Sequence, residues 1–299
     1  MCDDRTGTTT GGDAPIRPTA LARRGAELLR GRVASPQVDA RLLLAHVLGI
    51  TPGDLVMADP PDAARVEAYR ELLARRAEGV PLQHLTGEAW FRHVRVAVGP
   101  GVFVPRPETE LVAGAAIDAA RAVRGQGRRP RVVELCAGSG AISAALVDEV
   151  PGCEVVAVEL DPAAIRWTRA NLAGTGVDVR LGDLADAAPE WDGTVDIVVV
   201  NPPYVPLTVR DRLPVEVTAH DPALAVFSGA DGLEAIRAVE RTARRLLRPG
   251  GVVVCEHDDS HGRTAPAVFA GPAWTGVVDH PDLSGRPRFV SGTRTQVAG

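Results

Sequence analysis

Lysine is absent from this chain: all 33 basic residues are arginine, set against 38 acidic ones for a net charge of −5. A mildly acidic balance argues against a protein whose main work is gripping bare nucleic acid, though it leaves room for a local basic patch. Aromatic residues are scarce at 4% while apolar residues reach 45%, so the interior must be built from Ala, Val and Leu. Cysteine is scarce as well. Cys2, Cys136, Cys153 and Cys255 are scattered without a Cys-x-x-Cys pair, which points away from a disulfide framework or a zinc site. No apolar stretch is long enough to span a bilayer, and the Asp/Thr/Gly-rich start lacks a signal-peptide pattern. Together these absences predict a cytoplasmic protein.

What is present is length and rhythm. A chain of 299 residues accommodates one large domain and one small one. Residues 1–15, polar and rich in Gly and Thr, are expected to form a disordered tail. Residues 16–79 carry helical spacing, strongest from Asp39 to Leu48 and closed by Gly49, and predict a helical substrate-docking domain of about four or five helices. Residues 80–107 change character. Val94–Val98 alternates in strand fashion and Gly99-Pro100-Gly101 makes a turn, so this stretch reads as a β-hairpin linker.

The remaining domain, 108–297, opens with a helix over 108–123. Apolar strands then fall at 132–135, 155–159, 177–181, 195–200 and 252–255. Helical stretches separate them at 141–150 and 233–247, with another starting at Asp161 as N-cap and Pro162 in the first turn. Runs at 274–279 and 288–291 close as an antiparallel pair. Alternating strands and helices predict an α/β fold, doubly wound around a mostly parallel sheet.

The most informative residues are Asn201-Pro202-Pro203-Tyr204, which follow the buried run Val195–Val200. They stand at the carboxyl edge of the sheet, where open α/β folds keep their ligand crevices. Two prolines cannot continue a strand, so the backbone is stiff and its carbonyls are left free. The Asn side chain, the Pro202 carbonyl and the Tyr204 ring suit a planar group carrying an –NH2, held by two acceptors and stacked on an aromatic. An amide or amino nitrogen fits such a site.

A second constellation follows the first strand. Glu134-Leu-Cys136-Ala137-Gly138-Ser139-Gly140 lets the backbone bend sharply and approach a ligand, with a helix N-terminus behind it. Glu159 ends the next strand and can accept from two ribose hydroxyls; Asp183, after the third strand, can take a base amino group, with Leu184 as an adenine neighbour. The loop departs from the Gly-x-Gly-x-x-Gly dinucleotide pattern, and Glu134 would repel a pyrophosphate. A cationic or zwitterionic ligand such as S-adenosylmethionine suits it better.

With these motifs the chain resembles the class I S-adenosylmethionine-dependent methyltransferases. More narrowly, it resembles the bacterial protein-(glutamine-N5) methyltransferases of class I peptide-chain release factors. The likeness runs over residues 20–291 and is carried by Pro81–Gly87, Phe103–Glu110, Glu134–Gly140, Asn201–Tyr204, Glu216–Leu224, Ser228–Leu233 and Asp282–Arg286. The tetrapeptide alone is shared with DNA and RNA amino-methyltransferases; Pro105-Arg106-Pro107-Glu108-Thr109-Glu110 is the more specific segment.

The resemblance implies a Rossmann-like seven-stranded methyltransferase sheet using S-adenosyl-L-methionine. Its acceptor would be the Gln of the Gly-Gly-Gln tip of a class I release factor, which gives the protein a part in translation termination. It implies Asn201, Pro202 and Tyr204 as catalytic residues, and Asn201, Pro202, Pro203, Tyr204 and Arg106 as the substrate contacts. The cofactor set is Glu134, Cys136, Ala137, Gly138, Ser139, Gly140, Glu159, Asp183, Leu184 and Asn201. Cys136 stands where the family commonly has glycine, and Glu256-His-Asp-Asp-Ser-His261 where it tends to have Glu-x-Gly-x-x-Gln.

Competing readings are weaker. An amino-methyltransferase of RNA or DNA bases would call for a basic accessory domain with interleaved aromatics, which the first 80 residues lack. His257 and His261 follow a strand with no third partner in view, so no metal is expected. Trp167 reads as core. Arg121, Arg124, Arg128, Arg129 and Arg131 read as a solvated helix end and loop rather than as a contact for nucleic acid. Neither a membrane nor direct nucleic-acid binding is expected.

Overall fold

The computed structural model describes residues 16–212 and 215–296, so the expected tail and residue 297 lie outside the described residues. The chain forms two compact units, one ending at Thr86 and the other beginning at Gly87.

The first unit holds helices α1 (Pro18–Leu29), α2 (Pro36–Leu48), α3 (Ala63–Ala77) and α4 (Leu82–Thr86), with a 3-10 turn at Asp54–Val56. Local chemistry sets their ends. Gly49 closes α2 in the left-handed region at φ 68°, its N–H returning to the Ala45 and His46 carbonyls. Asp62 caps α3 by accepting from the Arg65 N–H. Leu29, Leu43, Leu44 and Tyr69 fill the interior, and the Tyr69 hydroxyl donates to the Ala40 carbonyl at 3.0 Å. Asp39 and Arg76 form a buried ion pair at 2.7 Å.

The second unit opens with the antiparallel hairpin β1 (Glu88–Phe91) and β2 (Val94–Ala97), followed by α5 (Thr109–Gly125). Then come β3 (Arg131–Leu135), α6 (Ala141–Glu149), β4 (Glu154–Glu159), α7 (Ala164–Asn171), β5 (Asp178–Leu181) and β6 (Val195–Val200). Three helices, α8 (Val215–His220), α9 (Ala223–Val226) and α10 (Glu234–Leu246), lead to β7 (Leu247–Glu256). Helix α11 (Thr264–Val268), β8 (Trp274–Pro281) and β9 (Pro287–Arg294) complete it.

The expected doubly wound, Rossmann-like sheet is present with seven strands in the order β5-β4-β3-β6-β7-β9-β8. The first five in that order are parallel, and β9 runs antiparallel to both of its neighbours. From β3 the chain winds one way to β4 and β5, and from β6 the other way to β7. The switch point therefore lies between β3 and β6, and their carboxyl ends form the edge at which open α/β sheets keep their ligand crevices. These strands finish in step: Leu135 pairs with Val200 and Val200 with Cys255. Residues 136–140 and 201–204, just past β3 and β6, and Glu256, the last of β7, are thereby delivered to one edge.

Three local expectations need correction. Helix α7 starts at Ala164, because the Asp161 side chain accepts from the Ala163 N–H and closes a turn ahead of the helix. Strand β7 begins at Leu247, taking in the Arg-Pro-Gly-Gly stretch expected to separate helix from strand. Within the stretch assigned to a hairpin linker, Leu82–Thr86 is helical.

Candidate active site

Three residues of the loop after β3 adopt left-handed conformations: Cys136 at φ 54°, Gly138 at φ 55° and Gly140 at φ 77°. This backbone favours glycine at position 136, since a side chain there works against its own carbonyl. A Cβ on Gly138 would meet nothing within 4 Å, so that face of the loop is open. The loop is held from behind. The Gly138 N–H donates to Glu159 Oε2 at 2.7 Å, the Thr168 hydroxyl donates to the Gly138 carbonyl at 2.6 Å, and Asn171 Nδ2 donates to the Ser139 carbonyl at 2.9 Å.

The acids around the loop hold the backbone. Glu159 is 8% exposed, and its other oxygen accepts from the Asp161 N–H at 2.8 Å. Burial raises its pKa while the N–H groups of Asp161, Gly138 and Leu160 pull it down, which leaves a lone pair for a further donor. Glu134 is 2% exposed and turned into the fold, accepting from the N–H and hydroxyl of Ser143 in the first turn of α6. Burial lifts it to about 8. Asp183 is exposed, with one oxygen capping the turn that Leu184 begins. Leu184 is packed against the core, while Leu160 and Leu181, which sequence reasoning passed over, stand exposed beside the ends of β4 and β5.

The tetrapeptide after β6 is braced from two sides. Asn201 Nδ2 donates to the Thr109 hydroxyl at 3.2 Å, and the Tyr204 hydroxyl donates to Glu256 Oε1 at 3.1 Å. Pro202 is buried, Pro203 and Tyr204 half-buried. Among the described residues the Pro202 carbonyl accepts no hydrogen bond. Gly232 lies against the Tyr204 carbonyl, and the Val205 N–H donates to the Val226 carbonyl, which pins the exit of the segment.

Glu256, at the end of β7, is 1% exposed. Burial pushes its pKa up to about 7, while the Thr109 and Tyr204 hydroxyls and the Arg288 charge pull it down. Its Oε2 has no hydrogen-bond partner. Thr109, at 4% exposure, and Glu256 are the site groups that sequence reasoning missed. A signal existed for Glu256: an acid at the carboxyl end of a buried strand, as at Glu159.

Other sequence candidates have different surroundings. Arg106 pairs with Asp221 at 2.9 Å and lies over the Phe103 ring, 4.9 Å from its centroid. His257 is buried against Asp279 at 2.8 Å, and His261 Nε2 lies 3.1 Å from the Asp231 carbonyl. Among the described residues no cluster of His, Cys, Asp or Glu could hold a metal ion. Arg121, Arg128, Arg129 and Arg131 are paired with Glu149, Asp196, Glu154 and Glu154. Trp167 packs on the main core, its Nε1–H donating to the Pro100 carbonyl at 3.4 Å. No helix among the described residues is long and apolar enough to cross a membrane.

The arrangement offers two amide acceptors beside a glycine-rich loop, a geometry suited to group transfer onto a nitrogen. Comparison with known proteins agrees. Residues 20–87 match the family model described as the PrmC N-terminal domain, and residues 110–213 that of the methyltransferase small domain. The release factor glutamine methyltransferase of Streptomyces coelicolor is 51% identical, over 91% of this chain and 95% of its own. That of Mycolicibacterium smegmatis is 44% identical over 92% and 97%. A 4-amino-L-phenylalanine/4-methylamino-L-phenylalanine methyltransferase of Streptomyces pristinaespiralis is 43% identical over 95% and 96%.

Proposed function

Because the chain belongs to the release factor glutamine methyltransferase family, we propose that it methylates N5 of the Gly-Gly-Gln glutamine in class I release factors. The methyl donor is S-adenosyl-L-methionine, and the work is done in the cytoplasm. The observation that carries this reading is the tetrapeptide: with Nδ2 of Asn201 given to Thr109, Oδ1 and the Pro202 carbonyl remain as two acceptors for one –NH2 group.

The residues fit the cofactor. The open face at Gly138 admits a close ligand, Glu159 keeps a lone pair for a ribose hydroxyl, and Leu160 and Leu181 offer apolar surface for a base. When bound, S-adenosylmethionine supplies a methyl group on a positively charged sulfur. An amide nitrogen is a poor nucleophile because its lone pair is delocalised into the carbonyl. Asn201 and the Pro202 carbonyl hold both N–H bonds and turn the nitrogen toward the methyl group, and Tyr204 packs on the amide plane. Alignment is the main contribution expected of such a grip. Two acceptors also favour the positive charge that develops on nitrogen. The helical unit is assigned to docking the protein substrate.

One relative at 43% identity is named for an arylamine of a free amino acid, so overall identity alone does not choose the acceptor. The experiment is to incubate the protein with labelled S-adenosylmethionine and, separately, release factor, 4-amino-L-phenylalanine and RNA. Label in the Gly-Gly-Gln peptide supports the reading. Label confined to RNA or to the free amino acid overturns it.

A further inference from the structure

We propose that Thr109 and Glu256 are positioning residues that fix which way the Asn201 side chain faces, and so decide that the site accepts from an –NH2 group. The inference rests on the acceptor role of Asn201 given above and extends it to residues outside the tetrapeptide. A carboxamide is nearly symmetric in shape, and turning it by half a revolution exchanges its oxygen for its nitrogen. In the wrong sense, Asn201 would present N–H groups to an incoming N–H group. Something must hold the sense that leaves Oδ1 available.

Thr109 alone cannot do this. A hydroxyl both donates and accepts, so it would bond either end of the amide. Glu256 breaks the symmetry. Its Oε1 already accepts from Tyr204, and its Oε2 is buried with no hydrogen-bond partner. The Thr109 hydroxyl is among the groups that favour its charge, and the unpartnered Oε2 is the acceptor open to it. An ionised carboxylate only accepts, so the Thr109 O–H is drawn toward Glu256 and its lone pairs are left for Asn201. Asn201 must then donate through Nδ2, as it does at 3.2 Å. The same carboxylate steadies Tyr204, so one buried acid orients both side chains of the grip.

The test uses a feature of the composition: the chain has two asparagines, Asn171 and Asn201. Labelling asparagine with nitrogen-15 therefore gives two side-chain amide signals. Asn171, bonded to the Ala97 and Ser139 carbonyls, serves as an internal reference. In Thr109→Val, exchange of the Asn201 amide protons should quicken about tenfold or more, while those of Asn171 stay as they were. The kcat on release factor should fall about 10- to 100-fold, while the KM for S-adenosylmethionine moves by less than about threefold. Thr109→Ser should restore both the Asn201 signal and turnover, and Glu256→Gln should reproduce the Thr109→Val signal. Unchanged Asn201 exchange in Thr109→Val would overturn the proposal, as would a Thr109→Ser variant as impaired as Thr109→Val. Failure of the wild-type protein to label a release factor would count against the acceptor reading only, since the amide signals report on Asn201 without turnover.

Discussion

The hydroxyl of Tyr204 donates to Oε1 of Glu256 at 3.1 Å, joining residues 52 positions apart. That bond ties the tetrapeptide after β6 to the end of the adjacent parallel strand β7. Neither strand makes the site alone. The carboxylate is also a group whose protonation changes within the working range of pH.

The pH dependence follows with opposite signs for turnover and stability. Glu256 has a folded-state pKa of about 7, faced by Thr109, Tyr204, Arg288 and Glu108. The kcat should rise with pH through about 7, as the carboxylate becomes a pure acceptor. Glu256→Gln should lose that limb. A raised carboxyl pKa means the folded state holds its proton longer, so stability falls as pH climbs from the unfolded value toward the folded one. Glu134, at about 8, adds to this decline up to that pH. Thermal midpoints between pH 5 and 9 should therefore fall as turnover rises. A flat rate profile across pH 7 in the wild type would refute the part given to Glu256.

Asn201→Ala should lower methyl transfer by about a thousandfold, the scale of losing an electrostatic partner aimed at the reacting group. Cofactor affinity, measured by calorimetry, should change little, because the loop after β3 is held by Glu159, Thr168 and Asn171. Wild-type turnover in this variant would place the grip elsewhere.

Gly232→Ala probes the packing behind the tetrapeptide. The residue has φ 75°, and an added Cβ would overlap the Tyr204 carbonyl and crowd the His261 ring. A cost of about 2 kcal/mol or more is expected from conformation and overlap together. Chemical denaturation measures it. A loss of kcat beyond the loss of folded protein would show that the Asp231–Gly232 turn keeps Tyr204 in register.

Cys136→Gly should work the other way. Relief of the left-handed conformation at φ 54° is worth about 1 kcal/mol, and the extra freedom of glycine in the unfolded chain takes back roughly half. The thiol also packs on the core, so the burial lost with it trims the net gain seen in urea melts to at most about 0.5 kcal/mol. A β-branched substitution, Cys136→Val, should lose stability by a larger amount.

Much of this was legible in the sequence, for physical reasons that differ by element. Strand β6 has the bounds expected from its apolar run because both of its faces are buried. Helices α8, α9 and α11 were not read, since 4 to 6 residues are too few to show a helical period. The left-handed loop and the tetrapeptide were visible because their chemistry is local. The bonds from Asn201 to Thr109 and from Tyr204 to Glu256 were not, because they exist only once the fold brings distant residues together. Glu134 and Glu159 were found as acids, but not their bonds to Ser143 and Gly138, which depend on how tightly the loop folds back.

Strand β9 comes last in the chain yet lies inside the sheet, between β7 and β8. Phe289 pairs with Glu256, and the His257 N–H donates to the Arg288 carbonyl at 2.9 Å. During synthesis, β7 emerges long before the strand that will flank it, and until then it presents an open edge to other chains. Closure of the sheet depends on contacts distant in sequence, which makes it a slow step. Glu256 is seated only when that step is complete. The edge beside Glu256 is therefore completed by the final strand, and by its first residues rather than its last, because Phe289 and Val290 lie opposite Glu256 and Cys255 while Thr293 lies opposite Val252.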